Sequence, residues 1–134
     1  MTALTKNTPR TRVGEGQRFR DPVAAATRIF AGSLVALNAA GFAIRAIPAA
    51  TRVRGVALAA ADNGDGAAGD GFVEIERGRA FLFSNDTTNA VTRAHIGASV
   101  YVVDDNTVGS SATGTIVAGK CLDVLPEGVV VEIL

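Results

Sequence analysis

The last third of the chain, residues 97–134, restricts the possible fold more than any other stretch. It contains three apolar runs rich in β-branched residues, at 100–103, 115–125 and 129–134. Clusters of Asp, Asn, Gly and Pro stand between these runs, and this pattern is typical of strands joined by turns. The final run, Val-Val-Val-Glu-Ile-Leu, would be a sticky edge if it were left open. We therefore expect the last strand to be internal in its sheet or covered by another subunit.

Similar patterns occur upstream and predict further strands. A turn at Asn38–Gly41 separates two apolar runs and predicts a hairpin, and residues 72–77 alternate apolar and polar side chains as a half-buried strand does. The sequence therefore predicts an all-β fold, a small β-barrel or sandwich built from hairpins. The upstream strands are expected at 34–37, 42–47, 53–59, 72–77 and 79–83.

Three stretches connect or precede these strands. Residues 84–96 are polar and predict a loop, with room for one helical turn near its end. The segment 21–26 suits a helix start, a turn or an entry into a strand, and the sequence leaves these alternatives open. Aromatic residues make up only 5% of the chain, so the few Phe side chains matter for the core. Phe81 and Phe83 share a face of their strand, and we expect them to form the aromatic core together with Phe72.

The first twenty residues differ in composition from the rest. They carry five basic residues against one acidic residue, and Pro9, Gly14 and Gly16 interrupt any helix. We therefore expect residues 1–20 to form an extended N-terminal arm and residues 21–134 to form a single β-barrel-like domain. The arm is expected to become ordered on a partner surface, and a plain disordered terminus is the alternative. A nucleic-acid-binding arm is disfavoured, because only one residue in it could stack on a base. The candidate interface residues are Arg10, Arg12, Arg18, Phe19 and Arg20.

Charge is unevenly distributed along a chain whose net charge is zero. Residues 1–60 carry nine Lys or Arg and two acidic residues, whereas residues 61–134 carry four Lys or Arg and eleven acidic residues. Chance clustering on a solvated surface explains this equally well. The alternative is contact between copies of the chain, in which a basic segment meets an acidic face.

The reactive residue types exclude several kinds of active site. The chain has one histidine, His95, and one cysteine, Cys121. Two such residues cannot supply the three or four nitrogen and sulfur ligands of a zinc site, and one cysteine cannot form an internal disulfide. His95 lies in a polar loop and Cys121 within a strand, so we expect a surface histidine and a small buried side chain. We expect no catalytic residues, no bound metal and no cofactor.

Two acidic stretches invite a metal-binding interpretation. The segment 62–71 alternates Asp and Gly, yet its spacing does not match an EF-hand loop and it is not repeated. We expect a flexible hairpin loop there. Asp104 and Asp105 form an acidic pair that is followed by Asn106, and residues of these types are typical of turns. The sequence also lacks a long apolar run and an apolar signal-peptide core, so no contact with a membrane is expected.

The order of these segments resembles the head decoration proteins, or capsid cement proteins, of tailed bacteriophages and related prophages. The resemblance extends over residues 21–134. It consists of a Gly-Val-Ala strand, a Gly/Asp loop, a strand that carries glutamates, and a closing β meander. The segments that carry it are DPVAAATRIFAGSLV, RGVALAAADNGDGAAGDGFVEIERGRAFLF, GASVYVVDDNTV, GTIVAGKC and EGVVVEIL.

The resemblance implies a structural virion protein that is not an enzyme. Such a protein would be made in the cytoplasm of the bacterial host and would lie on the outer face of the capsid. There it would stabilise an icosahedral head by bridging subunits of the major capsid protein. Its partners would be the major capsid protein and other copies of itself, most often as a trimer, with no direct contact to nucleic acid. A β-rich binding module for a surface glycan or for another virion protein is the alternative function.

Overall fold

The computed structural model describes residues 6–7 and 18–134. The described chain is all-β apart from one short 3-10 helix, which confirms the predicted fold class. Twelve strands follow one another in the order β1 Arg18–Pro22, β2 Thr27–Ile29, β3 Leu34–Leu37, β4 Ala43–Arg45, β5 Arg52–Ala57, β6 Ala61–Asn63, β7 Phe72–Glu76, β8 Arg79–Asn85, β9 Ser99–Val102, β10 Thr107–Gly109, β11 Val117–Leu125 and β12 Gly128–Ile133, with the 3-10 helix at Arg93–His95 between β8 and β9.

The last five strands close into a barrel. Their order around it is β10-β8-β12-β11-β9, and every neighbouring pair is antiparallel except β8 and β10. The terminal strand β12 therefore lies between β8 and β11, which confirms that it is internal. Leu125 ends β11 and Gly128 begins β12, so Pro126 and Glu127 form the expected turn. Gly128 has a φ of +156°, and a Cβ there would collide with the backbone carbonyl of Phe83, so this turn requires glycine.

The upstream strands form a second, five-stranded sheet. Its order is β1-β7-β5-β3-β4, and all its pairings are antiparallel. The predicted hairpin is confirmed by the pairing of β3 with β4. Strands β2 and β6 pair separately as a two-stranded sheet. The predicted strands 53–59 and 72–77 correspond to β5 and β7, which are antiparallel neighbours.

The core has two parts. The larger cluster combines inward-facing barrel residues such as Val100, Val129 and Val131 with Leu34 and Val56 from the five-stranded sheet. The smaller cluster lies on the opposite face of that sheet and is built from small aliphatic side chains. Its members are Val23, Ile29, Val35, Ala43, Ala57, Ala61, Val73 and Ile75. Both faces of the sheet's central strands are therefore buried, and the barrel and the sheet share one apolar interior.

The expected aromatic core is only partly present. Phe83 is buried and Phe81 packs against the larger cluster, but 44% of the surface of Phe72 is exposed. The prediction for Phe72 is wrong, because β7 turns Val73 and Ile75 inward and thereby places Phe72 on the opposite face. Aliphatic side chains supply most of the core volume instead.

Candidate interaction surfaces

The five predicted interface residues fall into two groups. Arg10 and Arg12 lie outside the described residues. Arg18, Phe19 and Arg20 belong to β1, which pairs along its whole length with β7. The chain therefore enters the five-stranded sheet at residue 18, three residues before the expected start of the domain at residue 21. Asp21 and Pro22 continue the same strand, so the alternatives for this segment resolve to an entry into a strand.

Phe19 is covered by a side chain of its own sheet. The guanidinium carbon of Arg54 lies 4.0 Å from the centre of the Phe19 ring. The same guanidinium donates two hydrogen bonds to Asp21, from Nε at 2.6 Å and from a terminal nitrogen at 3.1 Å. Such a paired, planar contact is among the stronger ion pairs that proteins form. Phe19, Asp21 and Arg54 thus join β1 to β5 across the intervening strand β7.

Arg18 and Arg20 lie on the opposite face of β1, opposite glutamates of β7. Arg18 lies 3.5 Å from Glu76, and Arg20 lies 3.8 Å from Glu74. Arg20 also stacks 4.1 Å from the ring centre of Phe72, which explains how that exposed ring is accommodated. Exposed pairs of this kind contribute roughly 0.2–1 kcal/mol each to stability. They fix the strand register more than they stabilise the fold.

The opposite charges of the two halves form ion pairs with each other within one chain. Four ion pairs join a basic residue of the first 60 positions to an acidic residue of the remainder. Two of them join β1 to β7 within the five-stranded sheet, one joins β2 to β6 within the two-stranded sheet, and one joins β4 to the turn between β9 and β10. These pairs are Arg18–Glu76, Arg20–Glu74, Arg28–Asp62 and Arg45–Asp105.

A different surface, on the outside of the barrel, carries aliphatic side chains on three neighbouring strands, exposed on β8 and β11 and half-buried at Val130 of β12. Leu82 of β8 lies directly opposite Val130 of β12, and 52% of its surface is exposed. Leu122 and Leu125 extend the patch on β11, with 39% and 37% of their surfaces exposed. We call these four residues the outer barrel face. Exposed aliphatic side chains on adjacent strands form a continuous apolar surface, and such surfaces mark contact sites.

The exposure of both Leu122 and Leu125 depends on an irregularity in β11. The register between β11 and β12 shifts between Cys121 and Asp123, so two consecutive residues oppose one residue of β12. Leu122 follows buried Cys121 and faces outward by simple alternation. Unbroken alternation would turn Leu125 inward, but the bulge reverses the order of the two faces after Leu122. The bulge thus places Leu125 on the outside of the barrel as well.

Charged side chains border the outer barrel face. Lys120 lies directly opposite Glu132 on the neighbouring strand, and Glu132 lies opposite Ala80. Asp123 lies directly opposite Val130, between Leu122 and Leu125, and pairs with Arg93 at 3.2 Å. The outer barrel face therefore combines apolar side chains with charged pairs, as protein–protein contact surfaces commonly do.

The two reactive residue types occupy structural positions. Nδ1 of His95 accepts a hydrogen bond from the backbone N–H of Thr92 at 2.9 Å, which closes the short 3-10 turn. Cys121 is fully buried in the barrel, and burial raises the pKa of its thiol, while a hydrogen bond to the Asp123 carbonyl acts in the opposite direction. Burial that favours the neutral thiol works against the thiolate form that a nucleophile requires.

The two aspartates at the β9–β10 connection make different hydrogen bonds. Asp104 accepts a hydrogen bond from the backbone N–H of Asn106 at 2.8 Å, which confirms the predicted turn. Asp105 accepts one from the Ser33 hydroxyl at 2.9 Å, and its carbonyl accepts one from the Leu34 N–H at 2.8 Å. Asp105 therefore ties the barrel to the start of β3.

Residues 18–134, together with residues 6 and 7, contain no group of three or more His, Cys, Asp or Glu side chains arranged to hold a metal ion. Within the same residues, no helix has the length and apolar character required to span a membrane. Comparisons of the chain with protein-family models, with curated proteins and with solved structures found no match.

Proposed function

We propose that this chain is a structural virion protein that decorates the outside of an icosahedral phage or prophage-derived capsid. In this proposal it bridges neighbouring subunits of the major capsid protein and clusters with other copies of itself, with a trimer favoured. The resemblance of the sequence pattern supports the family, and the outer barrel face is the observation that supports a function based on contact. The described residues 18–20 pair within their own sheet, so the shell contact is assigned to the barrel.

The physical mechanism is an increase in the area of contact between shell subunits. A closed barrel holds the strands that carry Leu82 and Leu122 in a fixed arrangement, so little conformational entropy is lost when the face is covered. Burying one leucine side chain contributes about 1.5–3 kcal/mol. Many copies on one particle act together, because each copy that bridges two subunits raises the cost of separating them. The decorated shell would then resist internal pressure better than the bare shell.

Binding of the purified protein to expanded heads that lack it tests this function. The heads should come from the phage or prophage that encodes the chain. We expect saturable co-sedimentation and a higher melting temperature of the heads by calorimetry. Heads that neither bind the protein nor change their melting temperature would contradict the proposal.

A pair of double variants tests the outer barrel face itself. Leu82→Ser with Leu122→Ser should weaken binding to heads about 10- to 100-fold, because the exposed 52% and 39% of these side chains together amount to about one leucine. Burying one leucine contributes about 1.5–3 kcal/mol, and each 1.4 kcal/mol is tenfold. Leu58→Ser with Ile47→Ser is the matched control, since these side chains are 41% and 46% exposed and neither residue belongs to a barrel strand. Equal weakening by both double variants would exclude the outer barrel face as the contact.

A further inference from the structure

An exposed aromatic side chain stands on a rigid turn between β2 and β3. The Phe30 ring is 53% exposed, although the residue before it is fully buried. Its carbonyl accepts a hydrogen bond from the Ser33 N–H at 3.1 Å, and Gly32 inside this turn has a φ of +86°. The Gly32 N–H donates to the carbonyl of Ala57 at 2.8 Å, which attaches the turn to β5. An aromatic ring held in this way can anchor a partner at low entropic cost.

A guanidinium group with available hydrogen-bond donors lies beside this ring. The guanidinium carbon of Arg45 is 5.7 Å from the ring centre of Phe30, and half of its side chain is exposed. Its Nε lies 4.0 Å from Asp105, which is beyond hydrogen-bond length. Asp105 meanwhile accepts a hydrogen bond from the Ser33 hydroxyl. The Asp105 carboxylate therefore orients Arg45, but it accepts no hydrogen bond from the Arg45 guanidinium.

The ring and the guanidinium border an open groove with a volume of about 430 Å³. A second arginine, Arg28, lies in the lining, but it donates a hydrogen bond to Asp62 at 2.9 Å. Each arginine lies beside a carboxylate, but Arg28 is hydrogen-bonded to Asp62, whereas Arg45 makes no hydrogen bond to Asp105. Arg45 is therefore the group whose donors can bind a ligand. The groove is lined by Ala26, Thr27, Arg28, Phe30, Arg45 and Gly64, and we call it the Phe30 groove.

We propose that the Phe30 groove binds a carboxylate side chain on an acidic segment of a partner protein. The planar guanidinium of Arg45 matches the two oxygens of one carboxylate, and the Phe30 ring covers an aliphatic side chain next to that carboxylate. Asp105 partly offsets the charge of Arg45, so a singly charged carboxylate fits this site better than a doubly charged phosphate. The identification of the segment as part of the capsid shell rests on the proposed function, whereas the chemistry of the groove does not.

An NMR titration of the isolated protein tests the groove. The probe is the peptide Ac-Ala-Leu-Glu-Leu-Ala-NH2, and the same peptide with Gln in place of Glu is its uncharged control. We expect saturable shifts that cluster at Thr27, Phe30 and the Arg45 Nε–H, with at least about tenfold weaker binding of the uncharged peptide. Shifts that are equally large at the exposed Arg52 side chain would overturn the proposal.

Two variants and a second ligand make the test decisive. Arg45→Gln and Phe30→Ala should each weaken binding of the acidic peptide at least about tenfold, whereas Arg52→Gln should leave it unchanged. The backbone spectra of the variants establish that they remain folded. Unaltered peptide binding by Arg45→Gln would contradict the proposal. Tighter binding of 3′-sialyllactose than of the peptide would also contradict it and would favour a glycan ligand.

Failure of the groove and failure of the proposed function give different results. The peptide titration uses no capsid, and the head-binding experiment uses no peptide. Peptide binding without binding to heads would uphold the groove and contradict the capsid function. Binding to heads that the Arg45→Gln variant retains in full, together with no peptide binding, would contradict the groove alone.

Discussion

Replacing Asn63 with Asp is expected to lower the free energy of unfolding by about 3–5 kcal/mol at pH 7. Asn63 is buried, and its Nδ2 donates hydrogen bonds to the carbonyls of Ala24 and Ala67, both at 2.9 Å. The loop that follows wraps around this side chain so closely that a Cβ on Gly66 would collide with its Oδ1. A carboxylate of the same shape would direct a buried negative charge toward two carbonyl oxygens and donate to neither.

The decrease in the free energy of unfolding caused by Asn63→Asp should depend on pH. Carbonyl oxygens and burial favour the protonated carboxyl, so its pKa in the folded state lies above the unfolded value of about 3.9. The destabilisation is therefore complete above the folded-state pKa. As the pH falls toward the unfolded value, it shrinks to the cost of the one hydrogen bond that a protonated carboxyl, with its single donor, cannot replace. Urea unfolding of variant and wild type at a series of pH values measures this difference.

Asn89→Asp is the matched control for this prediction. Asn89 is exposed, and its backbone carbonyl, rather than its side chain, accepts hydrogen bonds from Ser110. We expect a change of at most about 0.5 kcal/mol, as for most surface substitutions. A loss by Asn63→Asp that is as small as that of the control, or that is the same at pH 4 and pH 7, would contradict the role assigned to Asn63.

Replacing Gly55 with Val is expected to lower the free energy of unfolding by about 3 kcal/mol or more. A Cβ at Gly55 would lie 2.5 Å from the backbone oxygen of Glu76 and 2.6 Å from a side-chain carbon of Ile75. Both atoms belong to β7, so relief requires that β5 and β7 move apart. Thermal unfolding should show a decrease in melting temperature of several degrees for each kcal/mol lost.

Ala80→Val is the matched control for Gly55→Val. Ala80 lies on β8 with its side chain exposed, so the added carbons enter open space on a strand. Its melting temperature should stay within about 2 °C of the wild type, since a change of at most 0.5 kcal/mol is expected. If Gly55→Val does not fold, Gly55→Ala should still show a loss of about 1–3 kcal/mol. A melting temperature of Gly55→Ala equal to that of the wild type would contradict the close contact between β5 and β7.

The strand pattern of this chain could largely be predicted from its sequence. Alternation at 72–77 and β-branched runs at 100–103, 115–125 and 129–134 correspond to β7, β9, β11 and β12. These signals are local, because they depend only on side chains that alternate between two faces. The closure of the barrel and the position of β12 between β8 and β11 are not local. They follow from pairings between distant segments, for which the sequence predicts only that the last strand is internal or covered.

The start of the fold was harder to predict for a physical reason. Arg18 and Arg20 look like residues of a solvated arm, because isolated basic residues are typical of such segments. In the structure their charges are opposed by glutamates of β7, and Phe19 is covered by Arg54. A strand stabilised by partners more than 30 positions away cannot be identified from its own composition. The same limit explains why the sequence wrongly predicts Phe72 in the core. Its ring lies on the face of β7 that carries the glutamates, and it stacks against Arg20.

The candidate contact surfaces were also missed from the sequence, although part of the signal was there. Leu82 lies between Phe81 and Phe83 and could have been placed outside by simple alternation. Leu122 could be placed outside in the same way, because it follows the buried Cys121. Leu125 could not, because the bulge in β11 breaks the alternation that a regular strand would show. The Phe30 groove brings together residues from several segments of the first half of the chain, and no spacing in the sequence brings Phe30 next to Arg45.

The most direct test of a function based on surface contact is a cryo-EM map of the particle that contains this chain. We predict density for the fold at regular positions on the outer face of an icosahedral shell, with β8, β11 and β12 against a neighbouring subunit. We also predict that Leu82 and Leu122 are buried there. A shell without this density, or copies attached with the outer barrel face directed toward solvent, would contradict the account.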